Sequence, residues 1–330
     1  MGELDVLGIG NAIVDILAEA DDAAVDALGL PKGGMTLVDA ERSKEILAVL
    51  GRPVRASGGS AANTVAGAAS LGSSAAFIGK IRDDALGADF AADIAASGVG
   101  FATQPLDGPP DTARCTVLVT PDGERTLSTY LGACTRLGPG DIDPEVVRRA
   151  RVTYLEGYLF DQPQSGEALR TAASLAHRAG RQVAVTLSDT LCVDRHRQEF
   201  LDLVDGAADL VFGNEEELRT LCGTDDLSGA LERVRAGGAV AAVTRGAKGS
   251  VVASERGFEE VPAEAGVAVV DTTGAGDAYA AGFLHGLVRG AGLARCARLG
   301  SLAAGEVISH LGARPGPGLA ARAEPLLDDG

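Results

Sequence analysis

The chain has 330 residues, of which 46% are hydrophobic and 23% are charged, close to the averages for globular proteins, so a largely disordered chain is excluded. This length allows one large domain with an insertion or two smaller domains. The net charge of −17 repels nucleic-acid phosphates and anionic lipid headgroups, so we expect neither nucleic acid nor a membrane surface as a partner.

Short β-rich runs bounded by Gly or Asp alternate with stretches of helical spacing along the chain. The predicted strands cover residues 5–10, 75–79, 152–157, 182–187, 209–213 and 239–244. The predicted helices cover residues 60–71, 86–97, 164–179, 194–204, 214–222, 275–290 and 292–311. This alternation predicts βαβ units and therefore an α/β fold with a mainly parallel sheet flanked by helices.

Three further predicted strands, at 34–38, 113–120 and 125–132, interrupt the alternation, and a PDGE turn joins the last two. They predict a small β sheet, which is either a lid over an active site or an antiparallel edge of the main sheet. We assign residues 1–14, 41–100 and 136–330 to an α/β domain and residues 15–40 and 101–135 to a small β lid. Because exposed strands can pair between copies, the protein is expected to be a monomer or a homodimer.

The string DTTGAGDAYAAGF, residues 271–283, follows an apolar run at 267–270 that we predict to be a strand, and it opens a helix. Its small residues allow backbone N–H groups to converge on an anion at the helix N-terminus. Asp277 follows in the first turn, where a carboxylate can accept the proton of an attacking hydroxyl. Alternatively, Asp271 caps the helix and Asp277 only complements its dipole. The predicted anion site consists of Gly274, Ala275 and Gly276.

This string resembles the C-terminal signature of the ribokinase family of carbohydrate and nucleoside kinases, also called the PfkB family. The resemblance implies a ribokinase-like fold, ATP as phosphate donor and Mg²⁺ as its cation. It also implies that Asp277 is the catalytic base and that residues 274–277 form the anion hole. We assign Asp271 and Thr273 of the same string to nucleotide binding.

A second resemblance to the family lies in SGGSAAN, residues 57–63, together with GKIRDDALG, residues 79–87. It implies that Gly58 and Gly59 let substrate hydroxyls approach the backbone and that Asn63 hydrogen-bonds a sugar. The alternative is a glycine-rich turn in which Ser60 is the N-cap of a helix.

Asn11 and Asp15, in GNAIVD after the first strand, occupy positions where the resemblance implies substrate binding. A carboxylate such as Asp15 accepts two hydrogen bonds and suits a vicinal diol. A dinucleotide fingerprint competes for this segment, because Gly8 and Gly10 follow a strand. That fingerprint fails at its third glycine, where Ile13 stands.

Two motifs in the second half of the chain match motifs that the resemblance assigns to nucleotide binding. Asn214 and Glu217 match an N-x-x-E motif, which implies a station for Mg²⁺ and phosphate that acts through water. An acidic helix start that complements the helix dipole is the alternative. Thr244 and Gly246 match a T-x-G that the resemblance places under the ATP phosphates and ribose.

Several cations and a C-terminal segment complete the predicted site. Lys248 or Arg245 adds positive charge near ATP, and Arg125 of the predicted lid reaches the transferred phosphate, as an Arg does in nucleoside kinases of the family. A surface arginine is the alternative for Arg125. Residues 309–312 resemble a segment that holds K⁺ beside the anion hole in some members.

Within the family, the segments GNAIVDI, LGAC, VTYLEGYLF, TLSD and FGNEEEL resemble adenosine kinases and imply transfer to the 5′-hydroxyl of adenosine. An adenine pocket needs apolar walls, and Asn11 offers an edge hydrogen bond. Leu159 stands where an aromatic ring is expected. A kinase of ribose, fructose or a keto-deoxy sugar acid is the alternative, although a sugar acid needs an additional cation. A non-catalytic nucleotide-binding regulator is a further alternative, but such a protein would not need a base such as Asp277. The candidate wall residues are Leu37, Leu127, Tyr158 and Phe160.

The cysteine pattern and the N-terminus predict a cytoplasmic protein. The five cysteines are scattered, odd in number and without C-x-x-C spacing, which is typical of reduced thiols. The acidic N-terminus lacks the features of a signal peptide, and no apolar run reaches the roughly 18 residues of a membrane span. The four histidines are too far apart to predict a zinc site.

Overall fold

A computed structural model describes residues 2–51 and 53–328 of the chain. Within these residues the strands are β1 (Leu4–Ile9), β2 (Ile13–Glu19), β3 (Met35–Leu37), β4 (Val54–Gly58), β5 (Ala75–Ile78), β6 (Val99–Phe101), β7 (Ala113–Val119), β8 (Arg125–Tyr130), β9 (Ala150–Glu156), β10 (Gln182–Thr186), β11 (Leu210–Asn214), β12 (Val240–Thr244), β13 (Ser250–Ser254) and β14 (Gly257–Val261). Short 3₁₀ turns cover Gly132–Arg136, Pro139–Asp141, Gly157–Asp161 and Gly246–Lys248.

The α-helices of the described residues are α1 (Asp22–Ala27), α2 (Ala40–Ala48), α3 (Ser60–Ser70), α4 (Ala85–Ala96), α5 (Pro144–Arg149), α6 (Pro163–Arg178), α7 (Thr190–Arg195), α8 (Arg197–Gly206), α9 (Glu215–Cys222), α10 (Leu227–Ala236), α11 (Ala275–Val288), α12 (Leu293–Val307) and α13 (Leu319–Asp328). None of these helices combines the length and apolar character needed to cross a membrane.

The larger sheet has the strand order β14-β13-β12-β11-β10-β9-β1-β5-β6. It is parallel from β6 to β12, and only β13 and β14 pair antiparallel. Alternate strand residues enter two buried cores, one with helices α6 to α10 and one with α3, α4, α11 and α12. Because helices cover both faces, the parallel strands are largely apolar. The predicted α/β fold with a mainly parallel sheet is confirmed.

The smaller sheet has the order β3-β8-β7-β2-β4, and the predicted hairpin forms its strands β7 and β8. One face packs against α1 and α2 through buried residues that include Val25, Ile46 and Leu118. The opposite face carries Asp15 and Arg125, because side chains alternate along a strand and the register pairs place these two on the same side.

Three sequence predictions differ from the structure. Strand β4, which we assigned with residues 41–100 to the α/β domain, pairs with β2 in the smaller sheet. The predicted helix 194–204 is two helices, α7 and α8, separated at His196, whose backbone leaves the helical conformation. The predicted strand 267–270 is irregular: the sheet already ends at β14, and the N–H of Val270 donates to the carbonyl of Ile308 instead.

Candidate active site

The predicted anion loop lies where a tight turn enters α11. Gly274 is the N-cap of α11 and has a φ of +76°, a conformation that favours glycine. A Cβ at Gly274 would lie 2.6 Å from the Cβ of Ala313, whereas nothing lies within 4 Å of the position that a Cβ of Gly276 would take. The first N–H groups of a helix have no acceptor within the helix, so this turn presents donors to an anion.

Asp277 lies half-buried in the first turn of α11, between the two signature motifs. Its Oδ1 accepts a hydrogen bond from Ser60 Oγ at 2.6 Å, and its Oδ2 accepts one from Asn63 Nδ2 at 3.4 Å. The N-cap of α3 is Gly59, so the alternative in which Ser60 caps that helix is wrong. Burial raises the pKa of Asp277 to about 6 although both hydrogen bonds lower it. The carboxylate is therefore ionised at neutral pH and basic enough to accept a proton.

The glycines of the second motif shape the turn between β4 and α3. Gly59 has a φ of +99°, and a Cβ there would lie 2.1 Å from the carbonyl oxygen of Asn11. A Cβ at Gly58 would lie 2.2 Å from Oδ2 of Asp15. Glycine is thus required for the close approach of this turn to the segment after β1. The structure places four of the five predicted substrate-binding positions, Asn11, Asp15, Gly58 and Gly59, side by side.

Asp15 has no hydrogen-bond or ion-pair partner among the described residues. Burial raises its pKa to about 7, the positive charges of Arg314 and Arg125 lower it, and the negative charge of Asp277 raises it. Asp15 and Asp277 therefore share one site. A carboxylate with unused acceptor sites at this position is available to a substrate diol.

Glu156, at the carboxyl end of β9, is a site residue that the sequence reasoning missed. It is 1% exposed, and it accepts hydrogen bonds from Asn11 Nδ2 at 2.7 Å, from Asn11 N at 3.3 Å and from Ala61 N at 2.9 Å. Burial raises its pKa to about 7, against these hydrogen bonds. It fixes the Asn11 side chain and the start of α3. A carboxylate ending a buried parallel strand was the available signal, because ligands bind at that edge of α/β sheets.

Arg125 reaches from the smaller sheet to the anion loop. Its Nη2 lies 2.6 Å from Oδ2 of Asp271, and its Nη1 donates to Thr273 Oγ1 at 3.3 Å. The side chain is 11% exposed, so the alternative of a surface arginine is wrong. Its Nε is buried and finds no acceptor among the described residues. A buried, unused N–H donor beside an anion loop fits a phosphate oxygen.

Asp271 lies beneath the anion loop and holds it. Besides the ion pair with Arg125, its carboxylate accepts hydrogen bonds from Thr273 N at 3.0 Å and from Gly312 N at 2.8 Å. The carboxylate is thus engaged by protein donors and fixes the loop to the C-terminal segment. Its predicted role in nucleotide binding is consequently indirect in this arrangement.

A cavity of about 450 Å³ adjoins the anion loop and is lined by Thr244, Gly246, Ala275 and Gly276 among others. Its volume lies in the range of small-molecule sites. Val267 and Val269 line part of it, which explains the exposure of Val269. Arg245 does not face this cavity as a free cation, because it pairs with Glu215 and Glu260 at 2.8 and 3.0 Å. The cavity therefore brings two of the predicted nucleotide-binding positions, Thr244 and Gly246, to the anion loop.

Asn214 and Glu217 form a capping box at the start of α9. Glu217 Oε1 accepts from Asn214 Nδ2 at 2.6 Å, Glu217 Oε2 accepts from Asn214 N at 3.0 Å, and Asn214 Oδ1 accepts from Glu217 N at 2.9 Å. Burial raises the pKa of Glu217 to about 7, and the charges of Asp189, Glu216 and Asp277 add to this. The motif therefore has a structural role, and it lies near Asp277.

The predicted adenine walls are only partly brought together. Leu37 and Leu127 lie on the face of the smaller sheet that carries Arg125. Phe160 does not reach the site: it is buried against Phe200, with ring centroids 4.9 Å apart. Leu159 is likewise in the core, and the hydroxyl of Tyr158 donates to the Ser188 carbonyl at 3.3 Å. The prediction for Phe160 is wrong because the chain turns it under α8.

The C-terminal segment contacts the anion loop through its backbone. Ser309 Oγ donates to the carbonyl of Glu306, and His310 pairs with the Glu306 carboxylate at 3.3 Å, so neither side chain faces the loop. Of residues 309–312, Gly312 contacts it, through the hydrogen bond from its N–H to Asp271. The K⁺ site at residues 309–312 stays a prediction.

The five cysteines are free thiols.

A family model described as pfkB family carbohydrate kinase matches residues 30–318. The chain belongs to the pfkB family. Adenosine kinase from Sinorhizobium meliloti is 50% identical to it, with a TM-score of 0.91 over 98% of this chain and 99% of that chain. A probable sugar kinase from Rhizobium etli CFN 42 is 47% identical, with the same TM-score and coverage. A 5-dehydro-2-deoxygluconokinase from Shouchella clausii (strain KSM-K16) is 32% identical over 263 residues, 76% of this chain and 80% of that protein.

This pfkB chain is therefore a ribokinase-like, ATP-dependent kinase that acts on an alcohol group. The residues fit the donor, because the anion loop, the unused Nε of Arg125 and the adjoining cavity lie together. Among the described residues no group of three or more His, Cys, Asp or Glu side chains forms a metal site. Mg²⁺ would accordingly be held by phosphate oxygens and waters, and the water-mediated role of Glu217 stays a prediction. When bound, Mg²⁺ neutralises charge on the phosphates.

Proposed function

We propose that the protein transfers the γ-phosphoryl group of ATP to the 5′-hydroxyl of adenosine, with Asp277 as the general base. The observation that carries this proposal is the contact between the two motifs. Ser60 and Asn63, beside the predicted sugar site, hydrogen-bond the carboxylate of Asp277, which follows the anion loop. An acceptor whose vicinal hydroxyls are bound at Asp15 thus has a base near its reacting hydroxyl and an anion site beyond the base.

In the proposed transfer, each group of the site has a defined role. The acceptor O–H bond breaks as its proton passes to a carboxylate oxygen of Asp277, and the oxygen attacks the γ-phosphorus. The bond from that phosphorus to the β-phosphate oxygen breaks, and ADP leaves. N–H groups at the start of α11 and the guanidinium of Arg125 stabilise charge on the transferred group. Asp15 holds the vicinal hydroxyls of the ribose and so orients the 5′-carbon.

Three features favour a nucleoside over a sugar acid. Apolar side chains on the site face of the smaller sheet, including Met35 and Leu37 at 54% and 52% exposure, offer a wall to a purine. The arginines near Asp15 are engaged by carboxylates, Arg125 by Asp271 and Arg314 by Asp93. A substrate carboxylate would have to compete for them. The 50% identity to the Sinorhizobium meliloti adenosine kinase points the same way.

A sugar kinase is the second candidate, and the similarity to 5-dehydro-2-deoxygluconokinase favours it. That substrate class would bind through the same Asp15 and Asp277 but would need Arg314 or Arg125 to release its carboxylate partner. The two candidates share the base and the anion loop and differ only in the acceptor.

A coupled ADP assay across adenosine, ribose, fructose and keto-deoxy sugar acids separates them. We expect adenosine to give the highest kcat/KM, 5′-deoxyadenosine to be inert, and 3′-deoxyadenosine to raise KM because one diol contact to Asp15 is lost. The position of the phosphate in the product is read by ³¹P–¹H NMR. A preference for fructose, ribose or a sugar acid would overturn the nucleoside assignment.

A further inference from the structure

The guanidinium of Arg314 lies behind the glycine turn of the acceptor site. Its Nη2 donates to Ser57 Oγ at 2.6 Å, its Nη1 donates to Ser97 Oγ at 2.9 Å and lies 3.2 Å from Asp93 Oδ2, and its Nε donates to Asn63 Oδ1 at 3.4 Å. The side chain is 21% exposed. Four contacts to β4, α3 and α4 make this a fixed cation rather than a mobile surface arginine.

The contact with Asn63 determines which way its amide points. Because Arg314 is purely a donor, it must face the carbonyl oxygen of the amide, and the amide N–H₂ then faces Asp277. A reversed amide would set two donors against each other at Arg314 and two acceptors against each other at Asp277. Arg314 therefore controls a hydrogen bond to the base without touching the base.

The same segment also contacts the anion loop. Gly312 N donates to the carboxylate of Asp271, and Ala313 packs against Gly274. Three consecutive residues thus link the phosphate side of the site to the acceptor side. Arg314 was not predicted from the sequence, because its partners come from distant parts of the chain.

We infer that Arg314 is a positioning residue for phosphoryl transfer, which orients the Asn63 amide toward Asp277 and places positive charge behind Asp15. The inference rests on the proposed function only for the roles of Asp277 and Asp15. The titratable and charged groups that face Asp15 are Arg125 from β8, Cys115 from β7, Asp277 from α11 and Arg314. Burial already raises the pKa of Asp15 to about 7, so losing one of its two cations leaves it more protonated at neutral pH.

The test compares Arg314→Met, Arg314→Lys and the control Arg55→Met. Arg55 also links β4 to α4, through Asp89 at 2.9 Å, but it is half-exposed and contacts neither Asn63 nor Asp15. With the acceptor that the wild type phosphorylates, we expect Arg314→Met to raise acceptor KM and lower kcat, each on the order of tenfold. The KM for ATP should stay within about twofold. The acid limb of acceptor kcat/KM should move to higher pH.

Arg314→Lys separates the two roles. Lysine keeps the charge but not the fork of donors, so we expect it to restore the pH limb and most of the acceptor KM while kcat stays low. Wild-type kinetics in Arg314→Met would overturn the inference. Equal losses of kcat/KM toward ATP and toward the acceptor would also overturn it if Arg314→Lys does not relieve them, because such losses mark a purely structural residue. If Arg314→Met does not fold, Arg314→Lys decides alone: an unchanged kcat contradicts the inference. Failure of the adenosine assignment would appear in the wild-type panel, independently of these variants.

Discussion

Removing the hydroxyl of Ser60 should shift the pH dependence of catalysis. Ser60 Oγ donates to Asp277 at 2.6 Å and stabilises the ionised carboxylate, whose pKa burial raises to about 6. A hydrogen bond to a charged group contributes about 1.5–3 kcal/mol, and about 1.4 kcal/mol corresponds to one pKa unit. Because Asp277 is half-buried and water can replace part of the bond, we expect Ser60→Ala to raise its pKa by about one unit.

The sign follows from the role of the base. Catalysis needs the deprotonated carboxylate, so kcat falls as pH decreases through the pKa of Asp277. With a pKa near 6 about nine-tenths of the base is ionised at pH 7, and with a pKa near 7 about half is. Ser60→Ala should thus lose about twofold in kcat at pH 7 and recover toward pH 8.5.

The assay measures kcat from pH 5 to 9 at saturating ATP and acceptor, so that Asp15 is covered by substrate. Ser70→Ala is the matched control, because Ser70 ends the same helix and its hydroxyl donates to the Gly67 carbonyl, away from the site. An unmoved acid limb in Ser60→Ala, or a kcat loss that is equal at every pH, would refute the reasoning.

Three further predictions concern the anion loop, the capping box of Asn214 and Glu217, and Arg125. Gly274→Ala should lower the melting temperature and kcat, because a φ of +76° costs a non-glycine residue roughly 1–2 kcal/mol and the new Cβ meets Ala313. Gly276→Ala, by contrast, should keep the melting temperature and weaken only ATP binding, because nothing lies within 4 Å of its Cβ position. Equal melting temperatures of the two variants by scanning fluorimetry would contradict this. Glu217→Gln should cost about 1 kcal/mol of stability, because an amide accepts from only one side of the capping box, and should raise the Mg²⁺ concentration for half-maximal activity several-fold. An unchanged Mg²⁺ titration would limit Glu217 to capping the helix. Arg125→Met should lower kcat on the order of 100-fold, while Lys32→Met, which removes an exposed cation beside the same sheet, should not. Comparable kcat values in the two variants would remove Arg125 from the site.

Much of the fold followed from local pattern. The apolar runs of the parallel strands and the hairpin turn depend on neighbouring residues, and they were found at nearly their observed positions. The strand predicted at 267–270 is absent because apolar residues can also line a cavity, as Val267 and Val269 do, where they need no strand partner. Strand β4 was missed because its sequence, VRASG, lacks an apolar alternation.

Candidate site residues could be predicted where they lie together in one continuous segment of the sequence. The anion loop and Asp277 form a continuous string, and so do the glycines before α3. Glu156 and Arg314 were not predicted, because each acts through partners that only the tertiary fold brings near. The position of Asp271 beneath the loop, with Arg125 and Gly312 on its carboxylate, likewise depends on three distant segments.

The most direct test of the account is the turnover of Asp277→Asn with ATP, Mg²⁺ and adenosine. Asparagine keeps the shape of the side chain and its hydrogen bond from Ser60 but cannot take the hydroxyl proton. The account predicts that ATP binding, measured by calorimetry, is nearly unchanged while kcat falls by orders of magnitude. Near-normal turnover in this variant would contradict it.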